Sequence, residues 1–365
     1  MSAPDLTKAT VVTYPDEFAK NEITELAKAG GYQVEQIVTQ KEIVRSEYGV
    51  GSGKAQELQQ MVEANGSDTI IIDESITSSQ ANKLSELTHA NVIDREGLIL
   101  NIFARRAKTT EAKLQVQLAE LRYQIPRARD VVRRSLKGEQ AGFSGMGEFA
   151  VDVKFRALKR QMGFIKQKLE KTKTVRDLHT RERRKLGIPF VSLAGYTSSG
   201  KTTLFNRLAT ESKEMSPNLF TTLTTTTRVI SFPNSKRKIL LSDTVGFISR
   251  LPTYLVESFK STLDELREAD LVLLVVDASE AVDSMNTKLA SCRETLSDLE
   301  VDFEKVLLVL NKVDLLSPGG IRTMKTDPLF QEYSTVSISA VRGDGLHQLK
   351  NKLIERTQPP KQSTH

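Results

Sequence analysis

IPFVSLAGYTSSGKTT, residues 188–203, is the stretch on which the reading of this chain turns. An apolar run of strand length ends at Ala194. Gly195 and Gly200 then bracket Tyr196, Thr197, Ser198 and Ser199, and Lys201, Thr202 and Thr203 open a helical pattern. This is a complete G-x-x-x-x-G-K-[ST] sequence in the strand–turn–helix context that the motif requires. Its glycines let successive N–H groups turn inward on phosphate oxygens, and a helix N-terminus adds partial positive charge. Lys201 is placed to reach β- and γ-phosphates, and the Thr202 hydroxyl to ligate Mg²⁺. The fold class expected is α/β, with a doubly wound, mostly parallel sheet whose strands end at the ligand.

Further along, Asn311-Lys312-Val313-Asp314 follows the apolar run KVLLVL, 110 residues after Lys201. A carboxylate at Asp314 accepts from both N1–H and the exocyclic amine of guanine. Adenine offers neither donor, and the unpaired carboxylate costs about 1–3 kcal/mol or more. Ser339-Ala340 follows the next strand candidate, placing the Ala340 N–H for the guanine O6. Asp243-Thr-Val-Gly246 closes the run KILLSD. There Asp243 is expected to hold the Mg²⁺ shell through water, and the Gly246 N–H to sense the γ-phosphate. The threonine-rich segment Phe220–Thr227 lies between, with Thr222 the expected Mg²⁺ ligand and Thr221 the alternative. Lys201, Thr222 and Gly246 form the expected catalytic set, and GTP or GDP with Mg²⁺ the ligands. Phe247 stands directly after DTVG, where many relatives of Ras carry the glutamine that orients water. An apolar ring cannot do that, so slow intrinsic hydrolysis is expected, with the water positioned by a partner or another group.

Residues 1–107 alternate strand candidates (Ala9–Tyr14, Gln33–Thr39, Thr69–Asp73, Asn91–Ile93) with amphipathic helices, an α/β unit with a parallel sheet. After Lys108 the pattern changes. Leu114, Leu118, Leu121, Ile125, Ala128 and Val132 form one heptad seam; Val151, Phe155, Leu158, Met162, Ile165, Leu169 and Thr172 form another. A glycine-rich loop at 138–151 separates them, and Pro126 should kink the first helix. Adjacent seams point to an antiparallel helical hairpin within a monomer; a trimeric coiled coil is the alternative. The division expected is 1–107 α/β subdomain, 108–185 basic helical hairpin, 186–356 GTPase domain and 357–365 flexible tail.

Gly49-Val-Gly-Ser-Gly-Lys54 mimics a phosphate loop. It is one residue short, and Ala55 replaces the hydroxyl that Mg²⁺ needs, so a structural turn is expected. His89, His179, His347 and His365 lack ligand spacing, and no Ser–His–Asp arrangement is indicated.

The order of these features resembles the HflX family of ribosome-associated GTPases along nearly the whole chain. The residues that carry this are Val92–Leu100 (VIDREGLIL), Ile102–Ala107 (IFARRA), Lys113–Val116, Ala119–Leu121, Gly195–Thr197, Leu219–Leu223, Asp243–Ile248 (DTVGFI) and Leu251-Pro252. Phe247 is normal for that family. Its glycine-rich loop usually carries a proline where Met146 stands here. The resemblance implies an N-terminal α/β plus hairpin domain, a GTPase domain, binding to the large ribosomal subunit and subunit separation under stress.

Charge agrees with such a partner. Residues 108–185 hold 21 Lys and Arg against 9 Asp and Glu, a local +12 in a chain of net charge +6. That asymmetry points to a polyanion, most simply ribosomal RNA held by the hairpin; a solvated helix face is the plainer reading. An RNA-binding module on a non-ribosomal RNA, regulated by guanine nucleotide, is the rival function. No apolar run reaches the ~20 residues of a membrane span, no signal-peptide pattern opens the chain, and Cys292 is the single cysteine. A cytoplasmic location and no membrane partner are expected.

Overall fold

Asp16, Thr77 and Asp94 each precede a helix and accept a hydrogen bond from a first-turn N–H, so three of the first four helices start where their side chains satisfy an orphan donor. Gly31 and Gly66 stop two of them in left-handed backbone, at φ 85° and 66°. The computed structural model describes residues 6–43, 46–138, 144–209, 226–232, 237–317, 330 and 333–357. It divides the chain into two compact units, Met1–Glu170 and Lys171–His365.

In the first unit β1 (Thr7–Thr13), β2 (Tyr32–Thr39), β3 (Thr69–Ile72) and β4 (Asn91–Asp94) make a parallel sheet in the order β2-β1-β3-β4. Helices α1 (Glu17–Gly30), α2 (Ser52–Asn65), α3 (Ser78–Thr88) and α4 (Arg95–Arg106) alternate with the strands. Val12, Val38, Leu58, Ile70, Ile72 and Leu84 share one core. The sequence 49–54 is a turn that runs into a helix: Gly49 has φ 75°, α2 begins at Ser52, and the Lys54 ammonium lies 2.6 Å from Glu57 on that helix.

Helices α5 (Thr110–Gly138) and α6 (Ser144–Lys185) follow. α5 runs through Pro126 as one helix. Residues 144–151, expected as loop, are helical; each glycine there costs about 1 kcal/mol, and Met146, Glu148, Phe149 and Ala150 tolerate the helix. Seam residues of both helices meet: Leu118, Leu121 and Ile165 are buried together, with Leu114, Leu158, Met162 and Leu169 packed against them.

The second unit contains β5 (Phe190–Ala194), α7 (Lys201–Ala209), β6 (Thr226–Phe232), β7 (Arg237–Asp243), α8 (Thr253–Ser258), α9 (Lys260–Glu268), β8 (Leu271–Asp277), α10 (Val282–Asp298), β9 (Val306–Asn311), β10 (Ser334–Ser337) and α11 (Leu346–Arg356). The strand order is β10-β9-β8-β5-β7-β6, parallel except that β6 runs antiparallel to β7. β6 was not among the strand candidates. α8 and α9 are separate helices that meet at buried Phe259. β5, β7, β8 and β9 all end at one edge, at Ala194, Asp243, Asp277 and Asn311.

Within the first unit one carboxylate ties three elements together. Asp94, buried at the end of β4, accepts the Gly97 N–H at 2.8 Å and the Tyr123 hydroxyl at 2.7 Å. It also pairs with Arg127, whose guanidinium reaches the Ile76 carbonyl at 3.0 Å. Burial, then the Asp94 charge, pushes the Tyr123 phenol well above its usual range. Asp94→Ala should therefore lower the stability of this unit by about 3 kcal/mol, since it removes a cap and strands a cation. Asp94→Asn, which keeps an acceptor for the cap, should cost less. Urea unfolding followed by circular dichroism checks the order.

Candidate nucleotide site

The loop between β5 and α7 is shaped by what lies behind it. Gly195 has φ +141°, and a Cβ there would stand 2.2 Å from the Val275 carbonyl oxygen of β8. Gly200 has φ +94°, and its Cβ would stand 2.2 Å from the Asn311 amide nitrogen. Both positions exclude a side chain by backbone angle and by space. Ser198 adopts left-handed backbone without being glycine, at φ 62°. Such reversals turn N–H groups toward one side, the concavity an anion needs. Lys201 opens α7 and Thr202 and Thr203 continue its first turn.

Lys201 is buried, and its Nζ donates to the Gly195 and Tyr196 carbonyls at 2.9 and 2.7 Å. Burial pulls its ammonium down to about 8, against the Asp243 carboxylate, which raises it. The side chain is thus folded back over the loop it belongs to, with its charge at the loop's centre. Next to it the Thr202 hydroxyl donates to Asp243 Oδ2 at 2.8 Å. One hydroxyl and one carboxylate side by side, both hard oxygen donors, suit Mg²⁺. Gly246 approaches from β7: a Cβ there would lie 3.1 Å from Lys201 Nζ and 2.9 Å from Thr197 Cγ2. Thr221 and Thr222 lie outside the described residues.

Asn311 joins this loop to the far end of the site. It is buried at the tip of β9; its amide donates to the Ser199 carbonyl at 2.9 Å and its oxygen accepts the Ala340 N–H at 3.0 Å. The Ala340 N–H, expected to face guanine O6, is donated to Asn311 here. Ser339 holds the same turn, with its N–H on the Asp344 carbonyl at 3.0 Å and its Oγ accepting the Arg342 N–H at 3.0 Å. Lys312 sits in left-handed backbone, φ 64°, with its ammonium on Asp277. Asp314 follows in a short 3-10 turn, 3.8 Å from the Arg342 guanidinium. Apart from Thr222, every site residue expected from sequence therefore gathers along the carboxyl edge of one sheet.

Two contributions were not legible beforehand. Phe247 is 1% exposed, so its ring is a core group. Tyr196 was expected only through its main chain, yet its hydroxyl accepts the Ser249 N–H at 2.7 Å. A tyrosine directly after the first loop glycine was the only signal available.

A phosphate loop and a base loop tied by one asparagine, at the carboxyl edge of a doubly wound sheet, are the arrangement of a P-loop GTPase. Three family models match in succession: "GTP-binding GTPase N-terminal" over residues 18–104, "GTP-binding GTPase Middle Region" over 106–184 and "50S ribosome-binding GTPase" over 190–312. The GTPase HflX of Thermococcus kodakarensis is 40% identical over 82% of this chain and 68% of its own length. That of Methanocaldococcus jannaschii is 38% identical over 93% and 83%, and that of Escherichia coli is 35% identical over 92% and 78%. A GTP-binding protein from Sulfolobus solfataricus, solved in complex with GDP, superposes with TM-score 0.51 at 26% identity, covering 96% of this chain and 98% of that one. The structure of SsGBP with GDP gives TM-score 0.55 at 27% identity, over 96% and 97%. The chain belongs to the HflX family of GTPases, and its activity is the hydrolysis of GTP.

Lys201→Ala should abolish tight GTP binding, a loss of roughly a hundredfold or more, because a buried cation at the loop's centre is removed. Lys54→Ala should leave affinity unchanged; fluorescence titration with a labelled GTP analogue compares them. Asp314→Asn should weaken GTP binding and strengthen that of xanthosine triphosphate. The xanthine C2 carbonyl accepts from the new amide where guanine presents an amine, and competition titration reads the exchange.

Proposed function

We propose that this protein is a guanine-nucleotide switch of the cytoplasm, a monomer that docks on the large ribosomal subunit and acts in splitting or rescuing ribosomes under stress. The observation that carries the reading is the joining, in one chain, of a complete guanine site to the helices of residues 108–185 with their local charge of +12. The description of the family matched over 190–312 names 50S ribosome binding. In α6, Arg160, Lys166 and Lys168 are exposed while Ile165 between them is buried in the seam, so the basic side chains lie on a different face of the helix from the seam; the Lys168 ammonium stands 4.3 Å from the Phe164 ring centroid. Among the described residues no helix is long and apolar enough to cross a membrane.

In this reading Lys201 neutralises the β- and γ-phosphates, Asp314 reads the base, and the Gly195–Thr203 main chain cradles the phosphates. Thr202 and Asp243, with Thr222, would hold Mg²⁺, which would supply neutralisation of phosphate charge. Water attacks the γ-phosphorus, the bond to the β–γ bridging oxygen breaks, and GDP and phosphate leave. The Gly246 N–H stabilises the charge on the γ-phosphoryl oxygens. The Phe247 ring, buried in the core, cannot align the water; the group that does so arrives with the ribosome. The functional division is 1–107, 108–185 and 186–356, followed by a tail.

Sedimentation with purified large subunits tests this. The protein should pellet with subunits in a GTP analogue and less in GDP, and added subunits should raise the hydrolysis rate. Both effects should fall steeply with salt, as phosphate contacts release counterions. Replacing Arg160, Lys166 and Lys168 with Ala should weaken pelleting about tenfold or more at fixed salt while GDP binding is retained. Binding to a structured RNA but to no ribosomal particle would favour the rival reading, a nucleotide-regulated RNA-binding module.

A further inference from the structure

The segment after DTVG is stitched to the phosphate loop, and the stitch includes a side chain that no step of hydrolysis requires. β5 and β7 pair in parallel with Leu193 opposite Asp243. Beyond these residues the two chains separate around Gly195 and the DTVG turn, then meet again in a bridge between Tyr196 and Phe247. The β7 side has taken one extra residue to get there. At the bridge the Thr197 N–H donates to the Phe247 carbonyl at 2.8 Å, and the Phe247 N–H to the Gly195 carbonyl at 3.0 Å. The next residues are fixed from two sides. Ser291 of α10 donates its hydroxyl to the Ile248 carbonyl at 3.2 Å, and the Ser249 N–H donates to Tyr196 Oη at 2.7 Å.

Tyr196 can serve this way because its ring is wedged rather than free. It is 5% exposed, and the Lys288 ammonium of α10 stands 5.2 Å from the ring centroid. The ring shares a small cavity with Met285, Leu289 and Cys292 of α10. Its hydroxyl is therefore a rigid acceptor, aimed past the phosphate loop at the main chain of Ser249. Gly246 lies between the Leu193–Asp243 pair and these ties, and a Cβ on it would stand 2.9 Å from Thr197 Cγ2 and 3.1 Å from Lys201 Nζ.

We propose that the Tyr196 hydroxyl is a positioning group for γ-phosphate recognition: by holding Ser249 it presets Gly246 beside Lys201. The inference rests on the assignment of Lys201 and Gly246 to the nucleotide site. A donor already in place costs nothing to arrange when the γ-phosphate arrives. GDP has no γ-phosphate and draws no benefit, so the hydroxyl contributes to discrimination between the two nucleotides. A neutral hydrogen bond is equivalent to a factor of about 2–10 in an equilibrium constant, which sets the size of the effect.

Tyr196→Phe keeps the ring in its wedge and removes only the hydroxyl. Affinities for GDP and for a non-hydrolysable GTP analogue are measured by titration, with single-turnover hydrolysis and thermal melting alongside. The expected result is a fall of about 3–10-fold in affinity for the analogue, GDP affinity within a factor of about two, and slower single-turnover hydrolysis. Ser291→Ala, which loosens the same segment from α10, should shift the GTP:GDP ratio in the same direction. An unchanged ratio in Tyr196→Phe overturns the proposal. So does a ratio that rises, which would make the hydroxyl a clamp opposing the γ-phosphate. A parallel loss for both nucleotides also overturns it, since the hydroxyl would then support the loop as a whole. A parent protein that binds neither nucleotide overturns the site assignment and this proposal with it.

Discussion

The approach of Gly195 to the Val275 carbonyl and of Gly200 to the Asn311 amide is the contact on which the second unit is organised. Neither gap leaves room for a methyl group, so the loop can lie directly on the ends of β8 and β9. That closeness lets Asn311 reach the Ser199 carbonyl, and through its other end the Ala340 N–H. Three loops from three strands thereby share one rigid support, although Ser199 lies 112 positions from Asn311 and Ala340 a further 29. A polar side chain buried at such a junction is favourable only when fully bonded. Asn311 satisfies that condition on both of its ends.

The same sheet edge buries charges whose lost hydration would be costly if they were left without partners. Lys201 is buried, yet it keeps two carbonyl acceptors and lies in the field of Asp243, so its ammonium is weakened by burial rather than abolished. Asp243 in turn is met by the Thr202 hydroxyl. The first unit uses the same device for architecture. Arg95, 3% exposed, lies between Asp73 and Glu22 at 2.6 and 2.7 Å, and Asp94 beside it receives Tyr123 and Arg127 from α5. Breaking such pairs is costlier than their net contribution, because it leaves a buried charge unpaired. In one unit the arrangement lies at the candidate nucleotide site; in the other it fixes the entry of a long helix.

Position 247 shows how one residue can be given to structure at the expense of chemistry. A glutamine there would orient water but would need polar surroundings. The phenylalanine is packed in the core, and its main chain is bonded to the phosphate loop on both sides. The segment that follows DTVG is thereby held, and what it loses is a polar group near the γ-phosphate. The water of GTP hydrolysis must then be aligned by a group other than the side chain at position 247.

Motif spacing alone located the phosphate loop, DTVG, NKVD and Ser339-Ala340, because each depends on local strand–turn–helix chemistry that a few neighbouring residues fix. The alternation of residues 1–107 likewise gave the strands and helices of the first unit to within a few positions. β6 was missed because an edge strand with polar threonines at its start, Thr226–Phe232, shows little hydrophobic signal; its place comes from antiparallel pairing with β7. The helical start of α6 at Ser144 was hidden by glycines, whose local cost is outweighed by the helix that continues beyond them. The donation of the Ala340 N–H to Asn311, the burial of the Phe247 ring and the bond from Ser249 to Tyr196 depend on side chains brought together from separate strands and loops. Local sequence fixes which backbone turns are possible, while the partners of a buried polar group are decided only when the sheet assembles around it.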